Sequence, residues 1–324
     1  MKKKVVLYKS IPEEQLSRLK THFEISCFEG INDLNRASFV AALAEAEGLI
    51  GASAPMPAAI LDKATKLKAV STISVGTDQF DLDYLAARNV PLMHTPLVLT
   101  DTTADTIFML MMCTARRAVE LSNMVREGRW QASIGREYFG VDVHGKTLGV
   151  VGMGRIGYAL AKRAHLGFDM KINYFNNIGN ARAEQDLHAQ RMDLATLLKT
   201  SDFVCVVLPL TPETEKMFAK AEFEMMKKGA IFINGSRGKI VNEADLITAL
   251  QNKTIRAAGL DVFEVEPLPG NSPLCSLDNA VLLPHIGSAT VETRLKMVST
   301  AVDNLIAALN GDISKNCANA NLMQ

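Results

Sequence analysis

The sequence predicts an α/β protein of two doubly wound parallel-sheet domains, and three observations carry that expectation. Short, continuously apolar runs such as VVLY (5–8), DFVCVVLP (202–209) and AIFIN (230–234) alternate with helix-period segments from end to end. Strands that are apolar on both sides belong to parallel sheets covered on both faces. The 324 residues suffice for two cores at about 150 residues per domain. Finally, VVGMGRIG (150–157) reads as strand, tight turn and helix start, and it opens a second series of such units midway along the chain.

Taken in order, VVLY is followed by the helix-period PEEQLSRLKTHF, the run FEISCF, the helix NDLNRASFVAALAEAE and the strand GLIGA. PAAILDKATKL, KAVSTIS, DLDYLAARN and PLMHT continue the alternation to about residue 95. The texture then changes. TTADTIFMLMMCTARRAVELSNMVREG (102–128) predicts one long helix, apolar around most of its first half and therefore buried. After the glycine turn come MKINYF, LATLLKT, DFVCVVLP, AIFIN, NEADLITALQNK, AAGLDVF and AVLLPH. The closing segment ATVETRLKMVSTAVDNLIAALNG is a helix that Gly311 terminates. The second domain, 100–289, is read as inserted into the first, 1–99 with 290–324.

Composition excludes several classes. Lys and Arg total 35 and Asp and Glu total 35, so no basic excess exists for nucleic acid or anionic membrane surfaces. The five cysteines have neither CxxC nor zinc-finger spacing, which leaves no disulfide framework and no metal site and points to a reducing cytoplasm. The longest apolar run in the body of the chain, IFMLMMC (107–113), is far short of the roughly 18 residues that suggest a spanning helix. The apolar stretch after MKKK is too short for a secretory signal.

Gly152, Gly154 and Gly157 form GxGxxG in the right context, with Arg155 and Ile156 at the helix start. The first glycine permits the turn, the second lets backbone approach a pyrophosphate, and the third packs helix on strand. Three polar residues end strands of the same domain: Arg237 after AIFIN, Glu266 after GLDVF, and His285 after AVLLP. Ligands of open α/β sheets bind at the carboxyl ends of strands, so the three are expected to converge. Singly, each has an ordinary structural reading: a histidine packed beside Pro284, a solvated loop arginine, a surface turn before Pro267.

VVGMGRIG, LPLTPETEKMF, INGSRGKIVNEADLITAL, AAGLDVFEVEPLP and LLPHIGSAT, with STISVGTDQFD in the first domain, resemble the signatures of the D-isomer-specific 2-hydroxyacid dehydrogenases. The resemblance implies a Rossmann dinucleotide-binding domain inserted into a flavodoxin-like substrate domain. It implies reduction of a small 2-keto acid such as glyoxylate, hydroxypyruvate or 2-ketogluconate, by an enzyme that is generally a homodimer. Arg237, Glu266 and His285 fall on the family's catalytic positions. Ser74, Val75 and Gly76 resemble its carboxylate cradle; from the residues alone, SVG reads as an ordinary strand-end turn. Thr103, Pro209, Ser236, Asp261 and Gly287 fall beside the cofactor. Trp130 is expected at a subunit contact. Two alternatives stand: a phosphoglycerate dehydrogenase-like enzyme without a regulatory domain, and a nucleotide-sensing scaffold of the same fold.

The dinucleotide preference departs from the NAD fingerprint. An acidic residue is expected about 20 residues past the glycines, where it would bind the ribose 2′-hydroxyl. Here MKINYF runs into Asn176 and Asn177, and no carboxylate appears before Glu184. Neutral asparagines remove the repulsion a 2′-phosphate would meet, and Arg182 offers a cation. The expectation is NADP(H), with NAD(H) usable; a relaxed site that takes either cofactor is the alternative.

Overall fold

The computed structural model describes residues 1–323, and contacts divide the chain into two units, Met1–Leu99 with Ala289–Gln324, and Thr100–Ser288. In the first unit β1 (Lys3–Leu7), α1 (Glu13–His22), β2 (Phe23–Cys27), α2 (Arg36–Ala44), β3 (Gly48–Gly51), α3 (Ala58–Leu61), β4 (Ala69–Thr72), α4 (Leu82–Ala87) and β5 (Leu92–Met93) alternate without exception. The strands are all parallel in the order β2-β1-β3-β4-β5. That order is the flavodoxin-like one. Val6, Leu49, Val70 and Leu92 pack one face against Phe39, Leu43 and Leu85.

The second unit contains α5 (Thr100–Ala115), α6 (Ala118–Arg126), β6 (Thr147–Val151), α7 (Arg155–Phe168), β7 (Lys171–Phe175), α8 (Ala181–Leu187) and β8 (Gln190–Arg191). It continues through α9 (Leu194–Thr200), β9 (Phe203–Val206), α10 (Lys220–Met225), β10 (Ile231–Asn234), α11 (Glu243–Gln251), β11 (Ala257–Leu260) and β12 (Ala280–Leu282). Its parallel sheet runs β12-β11-β10-β9-β6-β7-β8. The order reverses between β6 and β9, the switch point at which α/β sheets take dinucleotides.

Side-chain alternation explains why these strands are apolar throughout. Phe203, Cys205, Ile231 and Ile233 face one core with Ile107, Leu110 and Leu160 from α5 and α7. Val204, Val206 and Phe232 face the other with Leu198, Phe223 and Leu246 from α9, α10 and α11. Both faces are thus covered, as the sequence pattern predicts.

The chain returns to the first unit through α12 (Val291–Leu309), capped by Thr290, whose Oγ1 accepts the Thr293 N–H. Gly311, at φ 91°, takes the left-handed conformation that ends the helix. The single long helix expected over 102–128 is instead two. It breaks at Arg117, which holds φ 53° and ψ 34°. Its Nε and an Nη donate to Glu120 at 2.7 and 2.6 Å and its guanidinium lies 5.6 Å from the Tyr138 ring centre, so side-chain contacts offset the cost of the left-handed backbone. No helix among the described residues is long and apolar enough to cross a membrane.

Candidate active site

The glycine turn follows β6 because its three glycines meet three different steric demands. Gly152 has φ 107°, and a Cβ there would stand 2.4 Å from the Val207 carbonyl oxygen. A Cβ on Gly157 would stand 2.1 Å from the Gly152 oxygen, so the start of α7 presses directly on the turn. Around Gly154 a Cβ would meet nothing within 4 Å. That opening, before the N-terminus of α7 with exposed Arg155 and half-buried Ile156, fits a pyrophosphate, whose charge the helix end favours. Asn180 Nδ2 donates to the Met153 carbonyl at 2.9 Å and ties the loop after β7 to this turn.

Arg237, Glu266 and His285 leave the carboxyl ends of β10, β11 and β12, three adjacent strands. His285 Nδ1 and Glu266 Oε2 are 2.7 Å apart, and the other Glu266 oxygen accepts the Phe263 N–H at 3.0 Å. Burial raises the Glu266 pKa, but the His285 hydrogen bond, the Phe263 N–H and the charges of His285 and Arg237 outweigh it, so the carboxyl sits below its ordinary value. The histidine side chain remains half exposed.

Arg237 owes its placement to its neighbour. A Cβ on Gly238 would fall 1.8 Å from the Phe263 carbonyl group, so only glycine lets this turn lie against the segment that carries Glu266. Asn234 fixes the same turn, donating to the Arg237 carbonyl at 2.9 Å and accepting from the Ser236 N–H and Oγ at 3.1 and 2.8 Å.

Asp261 is 2% exposed, and its two oxygens accept the N–H groups of Ile286 and Gly287, each at 2.8 Å. Burial raises its carboxyl pKa despite those two bonds and the nearby His285. It thereby holds the loop in which His285 adopts φ 54°, a left-handed backbone unusual for a non-glycine residue. Thr103, nearly buried in the first turn of α5, faces Gly287, where a Cβ would lie 3.4 Å from its Cγ2. Pro209 is exposed beyond the carboxyl end of β9, and its carbonyl accepts from Thr214 Oγ1 at 2.7 Å.

Ser74, Val75 and Gly76 lie in the first unit, past the end of β4. Ser74 Oγ donates to the Gly76 carbonyl at 2.6 Å and pairs with Thr72 Oγ1 at 2.7 Å, while Gln79 Nε2 donates to Thr72 Oγ1 at 3.0 Å. His94 Nδ1 lies 3.0 Å from the Val75 carbonyl oxygen. Gln79 and His94 were not expected from the sequence. Nothing in their spacing marks them, because they act through tertiary contacts.

At the end of β7, Asn176 closes its own turn, donating from Nδ2 to the Ile178 carbonyl at 2.8 Å. Arg182 points its charge elsewhere: its Nε is 3.3 Å from Asp186 and its guanidinium lies 4.4 Å from the Tyr158 ring centre. Glu184 accepts the Tyr174 hydroxyl inside α8. Trp130 is exposed beyond α6. Among the described residues no group of three or more His, Cys, Asp or Glu could hold a metal ion.

A sheet of this order, with its polar groups gathered at the carboxyl ends of the strands, belongs to the class of dinucleotide-binding α/β domains. Within that class the chain belongs to the D-isomer specific 2-hydroxyacid dehydrogenase family, whose NAD binding domain it matches over residues 108–287. It is 55% identical over 324 residues to glyoxylate/hydroxypyruvate reductase B of Serratia proteamaculans, covering 100% of each chain. The counterpart of the same name in Enterobacter sp. is 54% identical over 319 residues, 98% of each chain. The crystal structure of an NADPH-dependent glyoxylate/hydroxypyruvate reductase from Sinorhizobium meliloti in complex with NADP and malonate superposes with a TM-score of 0.84 at 31% identity. It covers 96% of this chain and 95% of that one.

Replacing Asp261 by Ala leaves two adjacent backbone N–H groups without their acceptor. The expected loss is about 1–3 kcal/mol of folding stability, read by urea or thermal denaturation. An unchanged midpoint would show that the loop holds its shape without the carboxylate.

Proposed function

We propose that the protein reduces small 2-keto acids, glyoxylate and hydroxypyruvate first among them and 2-ketogluconate as a further substrate, to D-2-hydroxy acids. The observation that carries this reading is the 2.7 Å Glu266–His285 pair at the strand ends of a dinucleotide-binding sheet. The bound dinucleotide supplies a hydride from the nicotinamide ring. The protein's residues do the rest. Glu266, ionised and accepting only, commits His285 Nδ1–H to itself and leaves Nε2–H to protonate the developing alkoxide. The same carboxylate stabilises the imidazolium that gives up the proton. Arg237 offers a planar fork of donors to the substrate's carboxylate and carbonyl oxygens.

In this reading residues 100–289 carry the dinucleotide through Gly152, Gly154, Arg155, Ile156, Gly157, Thr103, Asn176, Pro209, Ser236, Asp261 and Gly287. Residues 1–99 and 290–324 carry the substrate through the backbone of Ser74, Val75 and Gly76. The enzyme acts in the cytoplasm as a homodimer; exposed Val119, Val125, Trp130 and Phe139, on α6 and the segment after it, support the pairing.

Loss of the proton donor is the direct test. His285→Ala is expected to lower glyoxylate-dependent NADPH oxidation by about two to four orders of magnitude with dinucleotide affinity nearly unchanged. Near-normal turnover would remove His285 from the chemistry.

Glu266→Gln is expected to move the alkaline fall of the reduction rate to lower pH. A neutral partner favours the imidazolium less, so the proton to be donated is lost sooner as pH rises. A pH–rate profile superposable on that of the wild type would make Glu266 purely structural.

The enzyme is expected to prefer NADPH over NADH in kcat/KM while using both, because no carboxylate faces the ribose at the end of β7. Asn176→Asp is expected to reverse the preference, as measured by steady-state kinetics with each dinucleotide. A wild type that already favours NADH would refute the electrostatic reading of this loop.

A further inference from the structure

Beside the loop that follows β7 lies a cation that the sequence pattern hides. β8 is only two residues long, and it pairs parallel with β7 in the register Asn173↔Gln190 and Tyr174↔Arg191. β7 in turn pairs with β6 so that Phe175 stands opposite Val151, and the Gly152 N–H donates to the Phe175 carbonyl at 3.0 Å. Arg191 is therefore carried to the same carboxyl edge of the sheet as the glycine turn, one strand beyond β7. Its Nε donates to the Asn176 carbonyl at 3.1 Å and an Nη to the Asn177 carbonyl at 2.6 Å. The other Nη stands 3.9 Å from where a Gly179 Cβ would be.

Two cations thus lie near this loop, and their surroundings differ. Arg182 is paired with Asp186, which also accepts the Tyr158 hydroxyl at 2.7 Å, and it is stacked on that same ring. A phosphate approaching Arg182 would meet the Asp186 carboxylate as well. Arg191 is exposed, bonds only to neutral carbonyls, and among the described residues forms no ion pair. A guanidinium has five N–H donors, so the two carbonyls leave others over. The Glu184 carboxylate is nearby, 3.5 Å from the same Gly179 point, but it accepts the Tyr174 hydroxyl and makes no ion pair with Arg191.

We propose that Arg191, rather than Arg182, selects the phosphorylated dinucleotide: it clasps the Asn176–Asn177 backbone and presents its remaining N–H groups to the 2′-phosphate of the adenosine ribose. This rests on the NADPH preference argued above, and it names the residue that creates it. The clasp does two things at once. It fixes the loop on which the ribose would lie, and it holds the guanidinium in place, so little side-chain freedom is lost when phosphate arrives.

Calorimetric titration separates these effects without any turnover. The ligands are NADPH, NADH, adenosine 2′,5′-bisphosphate and adenosine 5′-monophosphate, and the proteins are wild type, Arg191→Ala, Arg191→Lys and Arg182→Ala. Arg191→Ala is expected to weaken NADPH and the bisphosphate about ten- to a hundredfold, the scale of charge-assisted hydrogen bonds, with NADH and the monophosphate within about twofold. Arg191→Lys, which keeps the charge without the fork, is expected to fall between. Arg182→Ala is expected to change neither ratio. The salt dependence of NADPH affinity should flatten in Arg191→Ala alone.

Equal weakening of NADPH and NADH in Arg191→Ala would reduce Arg191 to a loop clasp and overturn the proposal. So would a wild-type NADPH preference that survives Arg191→Ala, or one that disappears in Arg182→Ala. A wild type that binds NADH as tightly as NADPH would instead refute the underlying preference, a result visible before any variant is titrated.

Discussion

A buried carboxylate organises the backbone around the strand ends of β11 and β12. Asp261 sits at the end of β11 with 2% of its surface exposed, and charge at such a place is costly unless hydrogen bonds compensate it. Consecutive N–H groups of Ile286 and Gly287, one on each oxygen, offset part of that cost. The same two bonds pin the backbone on the far side of His285, while the His285 N–H donates to the Leu283 carbonyl at 3.1 Å. The histidine is therefore fixed in a left-handed conformation that costs about 1–3 kcal/mol on its own. From there its Nδ1 reaches Glu266, and Glu266 reaches back to the Phe263 N–H on the strand end that Asp261 leaves. The site is a closed loop of bonds between β11 and β12.

The neighbouring strand is drawn in by contact rather than by charge alone. Gly238 lets the turn carrying Arg237 lie on the Phe263–Glu264 backbone, and no side chain larger than hydrogen fits there. An arginine followed by glycine, a glutamate after a strand and a histidine after Leu-Pro are thus consequences of one packing problem solved on three adjacent strands. Along the chain α11 separates Arg237 from Glu266, and a connection to β12 without an α-helix separates Glu266 from His285.

Much of this was legible because it depends on pattern. Strands buried on both faces are continuously apolar, so β6, β9 and β10 stand out as LGVV, FVCV and IFIN. The glycine turn is legible because steric limits dictate its residues. Arg237, Glu266 and His285 could be placed beyond strand ends, since each comes within a few residues after such a run. What escaped was whatever has no pattern. β8 is Gln190–Arg191, exposed on both residues, with no apolar run to announce it. Its arginine reaches the loop after β7 only through the sheet register, whereas Arg182, nearer in sequence, is paired with Asp186. The break at Arg117 escaped for a related reason: arginine is a good helix former, and only contacts with Glu120 and Tyr138, invisible to local propensity, turn it left-handed.

Connectivity gives this protein an order of assembly. The first sheet is laid down by residue 93, yet α12, which packs on β3 and β4, follows the whole second unit. Ser71 Oγ on β4 donates to the Ala301 carbonyl on α12 across 230 residues of chain, and a Gly48 Cβ would collide with Leu309 of the same helix. During synthesis the second unit, contiguous from Thr100 to Ser288, can close on itself as soon as it emerges. The first unit is completed later: α1 packs on β2, but the part of that face over β3 and β4 stays uncovered until the ribosome has finished the insert. The nascent chain thus carries an apolar surface for the time needed to make some 190 residues, of order ten to forty seconds at common elongation rates. The part of the protein made first is the part completed last.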